Sequence, residues 1–174
     1  RLLASATWQT RLVDLRWPEE ELWRGVRKSY RALIHRAQRR YTLETLSGPG
    51  AGGLIRTCQR LHRLAAGRET RSAESWDIMG DWADDGHGLL GLAYNHQQPP
   101  PEMANWPPCV DFSYFIVDGG WAYYASAASL RPDVHHAVIW TALLGLKRLG
   151  VRTAELGWQG EAKDEKGKSV EFFK

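Results

Sequence analysis

The spacing of apolar residues along this 174-residue chain changes near Gly86. A short alternating run at residues 8–15 predicts a strand, and apolar positions then recur every three or four residues, which predicts helices. After Gly86, short apolar or aromatic runs are separated by turn residues, which predicts strands. The first half of the chain is therefore expected to be mainly helical, and the second half mainly β.

The predicted boundaries rest on helix caps and turn residues. Pro18 is followed by three glutamates, and both proline and acidic residues favour the first turn of a helix. Gly119 and Gly120 predict a tight hairpin. The segments 47–53, 97–108 and 159–168 are interpreted as loops, and the first of them contains no GK[ST] and so no P-loop. In chain order we predict a strand at 8–15, helices at 19–41, 54–67 and 71–86, strands at 88–96, 110–118 and 121–129, a helix at 132–150, a strand at 151–158, and a helix end at 169–174.

This order of elements predicts an α+β fold built around a mixed sheet. Three helices precede an antiparallel meander, and a last helix crosses over to one further strand that lies parallel to its neighbour. The acyltransferase fold called GNAT is built in this way, with two central strands that splay apart to admit an acyl donor and an amine. We expect a GNAT-like sheet flanked by helices, forming a single domain over residues 1–174.

The composition excludes several classes of protein. Apolar residues make up 43% of the chain and charged residues 25%, as in ordinary globular proteins. Cys58 and Cys109 lie in no CxxC motif, which argues against a disulfide scaffold or a zinc site, and no metal is expected. We find neither a membrane span nor a signal peptide and expect a cytoplasmic protein. The chain opens on Arg1 rather than Met, so we expect that it has been processed.

Positive charge is concentrated on the first predicted helix. Seven cations cover the surface that its apolar stripe leaves open. A basic face of this kind is either a solvated surface or a surface that attracts phosphate, and the sequence leaves both interpretations open. Arg27, Lys28 and Arg31 are the candidates for contact with nucleic acid or with another phosphate-bearing ligand.

Several segments together resemble the FemABX family. These are LWRGVRKSYRALIHRA (22–37), AGRETRSAESW (66–76), AYYASAAS (122–129), HHAVIWTALLGLKRLGVRTAELGWQG (135–160) and the closing EFFK (171–174). FemABX proteins are GNAT-fold enzymes that transfer an amino acid from aminoacyl-tRNA to an amine. BioF2-like domains and the small alanyl transferases of nucleoside-antibiotic assembly are similar as well. The resemblance implies an aminoacyltransferase that needs no cofactor. The resemblance also implies the partners of this enzyme, which are aminoacyl-tRNA and an amine on a peptide, a peptidoglycan precursor or a peptidyl-nucleoside.

The family's Phe-Lys pair corresponds to Phe173 and Lys174. In the family this lysine is implicated in catalysis, and a glycine-rich strand follows it. The resemblance therefore implies that Lys174 stabilises the negative charge that develops on the ester oxygen, with Phe173 excluding water beside it. This chain differs from the family because it ends at the lysine and is about one GNAT domain long. We expect that its C-terminal strand has been lost or left out.

Further site residues are expected around the mouth between the splayed strands. Tyr124, Ser126 and Trp158 are the candidates for substrate binding near Lys174. Glu155 lies on the strand before Trp158 and is preferred as the carboxylate that orients the amine. The alternative base is a histidine at the start of the helix at 132–150, and His136 is assigned to substrate binding.

The sequence leaves two other functions open. An acyl-CoA-dependent N-acyltransferase of the same fold would bind pyrophosphate on a [QR]xxGx[GA] turn, but the matching loop SLRPDVHHA (129–137) has no glycine and contains a proline. Acetyl-CoA is therefore the less favoured donor. A non-catalytic RNA-binding module would explain the basic helix, but neither the aromatic strands nor the Phe-Lys ending.

Overall fold

The structure, a computed structural model, describes residues 10–95 and 109–158. Within these ranges the chain forms a six-stranded sheet with helices on both of its faces. The elements are β1 (Thr10–Asp14), α1 (Glu19–Gly25), α2 (Lys28–Gln38), β2 (Tyr41–Leu46), a short 3-10 turn (Gly52–Leu54), α3 (Ile55–Ala66), α4 (Ala73–Asp84), β3 (Gly88–Asn95), β4 (Cys109–Asp118), β5 (Trp121–Ser129), α5 (His135–Arg148) and β6 (Thr153–Trp158).

The sheet has the mixed topology that the order of elements predicts. Its strands follow the order β1-β6-β5-β4-β3-β2, and every neighbouring pair is antiparallel except β5 and β6. A hairpin joins β4 to β5 through Gly119, whose φ of 55° lies in the left-handed region that glycine adopts without a steric penalty. Helix α5 provides the crossover to the parallel strand β6. The α+β, GNAT-like prediction is therefore confirmed.

The two faces of the sheet are covered by different helices. Helices α3 and α4 pack on one face, where Leu90 and Leu92 of β3 point towards them. Helices α2 and α5 pack on the other face, which receives Leu89 and Ala93 of the same strand. This alternation follows from the two-residue period of a strand and explains why β3 is apolar throughout.

The predicted helix at 19–41 is two helices followed by an unpredicted strand. Val26 and Arg27 are extended, with ψ values of 133° and 140°, so the chain turns directly after Gly25. The Arg31 guanidinium donates hydrogen bonds to the carbonyls of Arg24, in the last turn of α1, and of Val26, its C-cap. The last carbonyls of a helix have no partner within it, so Arg31 supplies one. This break lets α1 and α2 follow different directions over the sheet. Strand β2 then pairs with β3 along its whole length.

Three predicted regions lie outside the described residues. They are the loop at 97–108, the loop at 159–168, and the helix end at 169–174 that carries Phe173 and Lys174. Among the helices of the described ranges, none is long and apolar enough to cross a lipid bilayer.

Candidate functional site

A cleft opens where β5 and β6 separate. The two strands pair from Trp121 and Thr153 up to Tyr123 and Glu155. Beyond that point β5 continues to pair with β4, whereas β6 continues along β1. The cleft has a volume of ≈ 880 Å³, and both strands contribute to its walls together with β1, α1, α2 and α5. Small-molecule sites usually have volumes of about 300–1,000 Å³, so a substrate of considerable size fits here.

A β-bulge determines which side chains of β5 reach this cleft. Tyr124 is opposite Phe115 of β4, but Ser126 is opposite Tyr114, so Ala125 is the extra residue. Directly opposed residues share a face of the sheet, and Tyr114 points to the α3–α4 face, where its hydroxyl donates a hydrogen bond to the Met79 carbonyl. Tyr124 lines the cleft, whereas Ser126 is only 5% exposed, faces the opposite side and is not among the described residues that line the cleft.

The bulge is stabilised by Arg71, which lies in the segment before α4. Its guanidinium donates a hydrogen bond of 2.7 Å to the Ala125 carbonyl. A bulge interrupts the ladder and leaves polar backbone groups that need other partners, and this contact supplies one. Arg71 therefore acts on the site from the opposite face of the sheet by helping to hold the bulge that directs Tyr124.

Asp111 is a buried carboxylate next to the cleft. It lies on β4 and is fully buried, and burial raises its pKa, because a charged carboxylate is poorly solvated there. The charge and hydrogen bond of His135 and the hydroxyl of Ser129 partly offset this effect. A carboxylate in such a place is costly unless it is paired. Its partner is on the first residue of α5.

Tyr124, His135 and Asp111 form one chain of hydrogen bonds. The His135 Nδ1 atom is 2.9 Å from one carboxylate oxygen of Asp111 and 3.1 Å from the other. The His135 Nε2 atom is 3.0 Å from the hydroxyl of Tyr124. Because a carboxylate only accepts, Nδ1 carries a hydrogen, and in the neutral ring Nε2 accepts a hydrogen bond from the Tyr124 hydroxyl. The imidazole therefore connects a buried anion to a hydroxyl at the cleft.

The pKa of His135 reflects two opposing effects. Burial lowers it, and the charge and the hydrogen bond of Asp111 raise it by more, so that the net direction is upwards. The His135 side chain is 22% exposed, on the side of the cleft. The neighbouring Asp111 carboxylate therefore favours the protonated form of the ring.

His136 also lines the cleft but has a different environment. Its ring is stacked on Tyr30 of α2, with centroids 3.9 Å apart and planes inclined by 20°. Burial and, secondarily, the charge of His135 lower its pKa to about 4. A neutral, stacked ring is suited to forming a wall of the cleft, and the binding role of His136 stays a prediction.

The three candidate phosphate-binding cations occupy different positions. Arg27 lies directly before α2, lines the cleft and has its guanidinium 5.7 Å from the centre of the Tyr30 ring. Lys28 is exposed on the first turn of α2. Arg31 holds the end of α1 through the two carbonyls described above. Arg27 is therefore the one of the three that the structure brings to the cleft.

Glu155 and Trp158 both lie on β6, and Glu155 is not among the described residues that line the cleft. The Glu155 carboxylate accepts a hydrogen bond of 2.9 Å from the Thr10 hydroxyl of β1. Trp158 is the last residue of β6 and is paired with Thr10. Leu156 is the residue of β6 that lines the cleft. The preferred sequence candidate for orienting the amine is thus engaged at the β1–β6 edge.

The turn between β5 and α5 uses many of its backbone donors internally. Three N–H groups of this turn and two in the first turn of α5 donate to carbonyl or hydroxyl oxygens over distances of up to 3.2 Å. They belong to Leu130, Arg131, Val134, Ala137 and Val138. A pyrophosphate-binding turn needs such N–H groups to point outwards towards the anion, so these five are not available for that purpose.

Sequence reasoning missed Asp111, and it named a histidine at this helix start as an alternative base without selecting His135 over His136. The signal for Asp111 was present, because it is a carboxylate within the otherwise apolar and aromatic run VDFSYFIVD. Acids are rarely fully buried unless they are paired. For His135 the sequence places two adjacent histidines at a helix start and cannot show which of them meets the carboxylate.

Solved structures with the same fold have low sequence identity to this chain. The crystal structure of FemX matches it with a TM-score of 0.69 and 14% identity, over 94% of this chain and 56% of FemX. L-PGS from Bacillus licheniformis matches with a TM-score of 0.60 and 13% identity, over 88% of this chain and 47% of that one. A C-terminal domain (DUF2156) of a putative lysylphosphatidylglycerol synthetase from Agrobacterium fabrum matches with a TM-score of 0.59 and 12% identity, over 94% and 50%.

These likenesses establish the fold and leave the reaction open. This chain has a FemX-like fold and spans about half the length of the structures it matches. No protein-family model matches its sequence, and no curated protein does so either. Of the expected resemblance to FemABX proteins, the fold is therefore confirmed.

Proposed function

We propose that this chain is the acyltransferase domain of an enzyme that moves an amino acid from aminoacyl-tRNA to an amine. The acceptor is a peptide, a peptidoglycan precursor or a peptidyl-nucleoside. The observation that carries this proposal is the cleft of ≈ 880 Å³ between the diverging strands β5 and β6, in a FemX-like fold. The reaction needs no bound cofactor, because the aminoacyl ester is already activated.

The walls of the cleft suit both the aminoacyl group and the terminal nucleotide of such a donor. Three aromatic side chains on the cleft offer flat surfaces for an adenine ring or an aminoacyl side chain. They are Trp17 in the β1–α1 loop, Tyr30 of α2 and Trp140 of α5. Arg27 and Arg11 are cations on the same cleft and can meet a phosphate of the tRNA end. A cleft that is partly apolar and partly cationic therefore fits an amino acid esterified to a nucleotide.

The β5–α5 turn favours this donor over acetyl-CoA. The five engaged N–H groups leave few backbone donors for a pyrophosphate. The sequence of the turn also lacks the glycines that would bring a backbone close to phosphate. An acyl-CoA donor remains the alternative against which the proposal is tested.

Lys174 is proposed to stabilise the negative charge that grows on the ester oxygen. It lies outside the described residues, and the assignment rests on the resemblance of the closing Phe-Lys pair to that of the FemABX family. A donor aimed at such an oxyanion contributes roughly a hundred- to a thousandfold in rate. Of the two substrate-binding candidates on β5, Tyr124 lines the cleft, whereas Ser126 faces the other side of the sheet.

The experiment that tests the donor uses a mixture of radiolabelled aminoacyl-tRNAs with candidate amines, and acetyl-CoA in parallel. We expect loss of the aminoacyl group from tRNA that depends on the added amine, with label appearing in an amide product. We also expect no shift in melting temperature on addition of coenzyme A. Acetyl transfer together with stabilisation by coenzyme A would replace the proposal with the acyl-CoA alternative.

A further inference from the structure

The burial of Asp111 is the observation from which this inference starts. A fully buried carboxylate that serves stability alone is a poor solution, because an apolar residue of similar size is often at least as stabilising. Asp111 is paired with an imidazole that is exposed on the cleft, and that imidazole is paired with a hydroxyl that also lines the cleft. The three groups therefore connect the place where substrate binds to an anion that solvent does not reach.

We propose that Tyr124, His135 and Asp111 form a proton relay that takes the proton released by the attacking amine. This inference rests on the proposed acyl transfer and adds the identity of its general base. Tyr124 and His135 would be catalytic residues, because both line the cleft. Asp111 would be a positioning residue that acts through His135.

The relay accounts for every atom of the step. The amine nitrogen forms a bond to the acyl carbon, and the bond from that carbon to the ester oxygen breaks. The amine proton passes to the Tyr124 oxygen while the Tyr124 hydroxyl proton passes to His135 Nε2, across the distance of 3.0 Å. This gives an imidazolium beside the Asp111 carboxylate. The imidazolium then returns its proton through the Tyr124 hydroxyl to the leaving ester oxygen, which becomes a hydroxyl, and His135 is neutral again.

The polar surroundings of His135 favour this direction of proton transfer. Asp111 approaches from β4, Tyr124 from β5, and His136 follows it on α5. His136 has a low pKa and adds no positive charge near neutral pH. Across the cleft, the charged and titratable groups are Arg11 and Asp14 from β1, Glu21 from α1, Arg27 beside α2, and Tyr30 on α2. Of these groups, Asp111 is the one that raises the pKa of His135.

The relay predicts that His135 must be neutral for turnover. The rate should therefore rise as the pH increases through the pKa of His135, which Asp111 raises. In Asp111→Asn the charge that raises this pKa is gone while the burial that lowers it remains. The rising limb of the kcat profile should then move to lower pH, and the maximum rate should fall because the base is weaker.

The test compares kcat, KM and pH profiles of four variants with those of the wild type. Tyr124→Phe and His135→Gln should each lower kcat by about a hundredfold, with KM changed by less than about threefold. Asp111→Asn should show the shifted limb, and its melting temperature is measured because a buried site is altered. Tyr123→Phe is the matched control, since this tyrosine is 45% exposed, adjacent in sequence and outside the cleft walls. It should stay within about twofold of the wild type.

Two results would overturn the relay in distinguishable ways. If the wild type transfers an acyl group but Tyr124→Phe and His135→Gln keep near-normal kcat and an unmoved pH profile, the relay is wrong and the transferase proposal stands. If the wild type transfers no group from either aminoacyl-tRNA or acetyl-CoA at any pH, the proposed function fails and the relay fails with it. A purely structural role would lower the melting temperature and leave the pH profile in place.

Discussion

Tyrosines on the two faces of the sheet have opposite environments. On the α3–α4 face, the hydroxyl of Tyr114 is buried and donates to a main-chain carbonyl. On the α2–α5 face, the hydroxyl of Tyr124 meets an imidazole at the edge of an open cleft. The two tyrosines lie on neighbouring strands, on either side of the register change at Ala125. Tyr114 is thus part of the core, whereas the hydroxyl of Tyr124 lies where a bound substrate could reach it.

The cysteines follow the same division. Cys58 and Cys109 both belong to the core of the α3–α4 face. Burial raises the pKa of the Cys58 thiol well above its usual value and that of Cys109 to about 12. Thiols that stay protonated are poor nucleophiles. We call the α3–α4 face the closed face and the α2–α5 face, which borders the cleft, the open face. The closed face keeps its thiols protonated, whereas the open face pairs its ionisable groups with one another beside the cleft.

Truncation of one leucine on each face gives the largest expected difference, which is in the free energy of unfolding. Leu90→Ala removes a fully buried side chain from the closed face and should lower the free energy of unfolding by about 4–5 kcal/mol. Leu143→Ala, at the cleft wall, should cost only about 2–3 kcal/mol, because the space it leaves opens into the existing cleft. Denaturant unfolding measures both values. Equal losses, or a larger loss at Leu143, would contradict the division into a closed and an open face.

Lys174→Ala tests whether the open face depends on a residue beyond the described chain. We expect kcat and kcat/KM to fall together by roughly a hundredfold or more, with an almost unchanged melting temperature. Lys174→Arg should restore activity only in part, because a planar guanidinium presents its donors differently from an ammonium. Phe173→Ala is the contrasting variant and should cost stability as well as rate. Near-normal turnover by Lys174→Ala would remove this lysine from the mechanism.

The smallest expected effect is a change in KM on reversing the charge of the cations around α2. Reversal of charge at Arg27, Lys28 and Arg31 together should raise the KM for aminoacyl-tRNA by about tenfold at low salt, and by less at moderate salt. The single variants sharpen this result. Arg27→Ala should account for most of the change in KM, whereas Arg31→Ala should mainly lower the melting temperature, because its guanidinium holds two carbonyls. If KM is unchanged at both salt concentrations, this helix face is merely solvated.

Much of the fold was determined by local patterns in the sequence. The period of the apolar residues places α3, α4, α5 and five of the six described strands correctly, because each of these elements has one clear periodicity and a recognisable end. Ser72, for example, caps α4 by accepting a hydrogen bond from the Ser75 amide. Strand β2 was missed because it begins three residues after α2 ends, so that helical periodicity runs on into it.

Only the tertiary structure decided which polar residues meet in the cleft. Asp111 and His135 are 24 positions apart, and the hairpin and the crossover of the sheet bring them within 3 Å of each other. The bulge at Ala125 is equally invisible in the sequence, because the run AYYASAAS has no glycine or proline to mark it. It shifts the register by one residue, and a shift of one residue moves a side chain to the other face of the sheet. For that reason the sequence could nominate Tyr124 and Ser126 together, whereas the folded sheet places only Tyr124 beside His135.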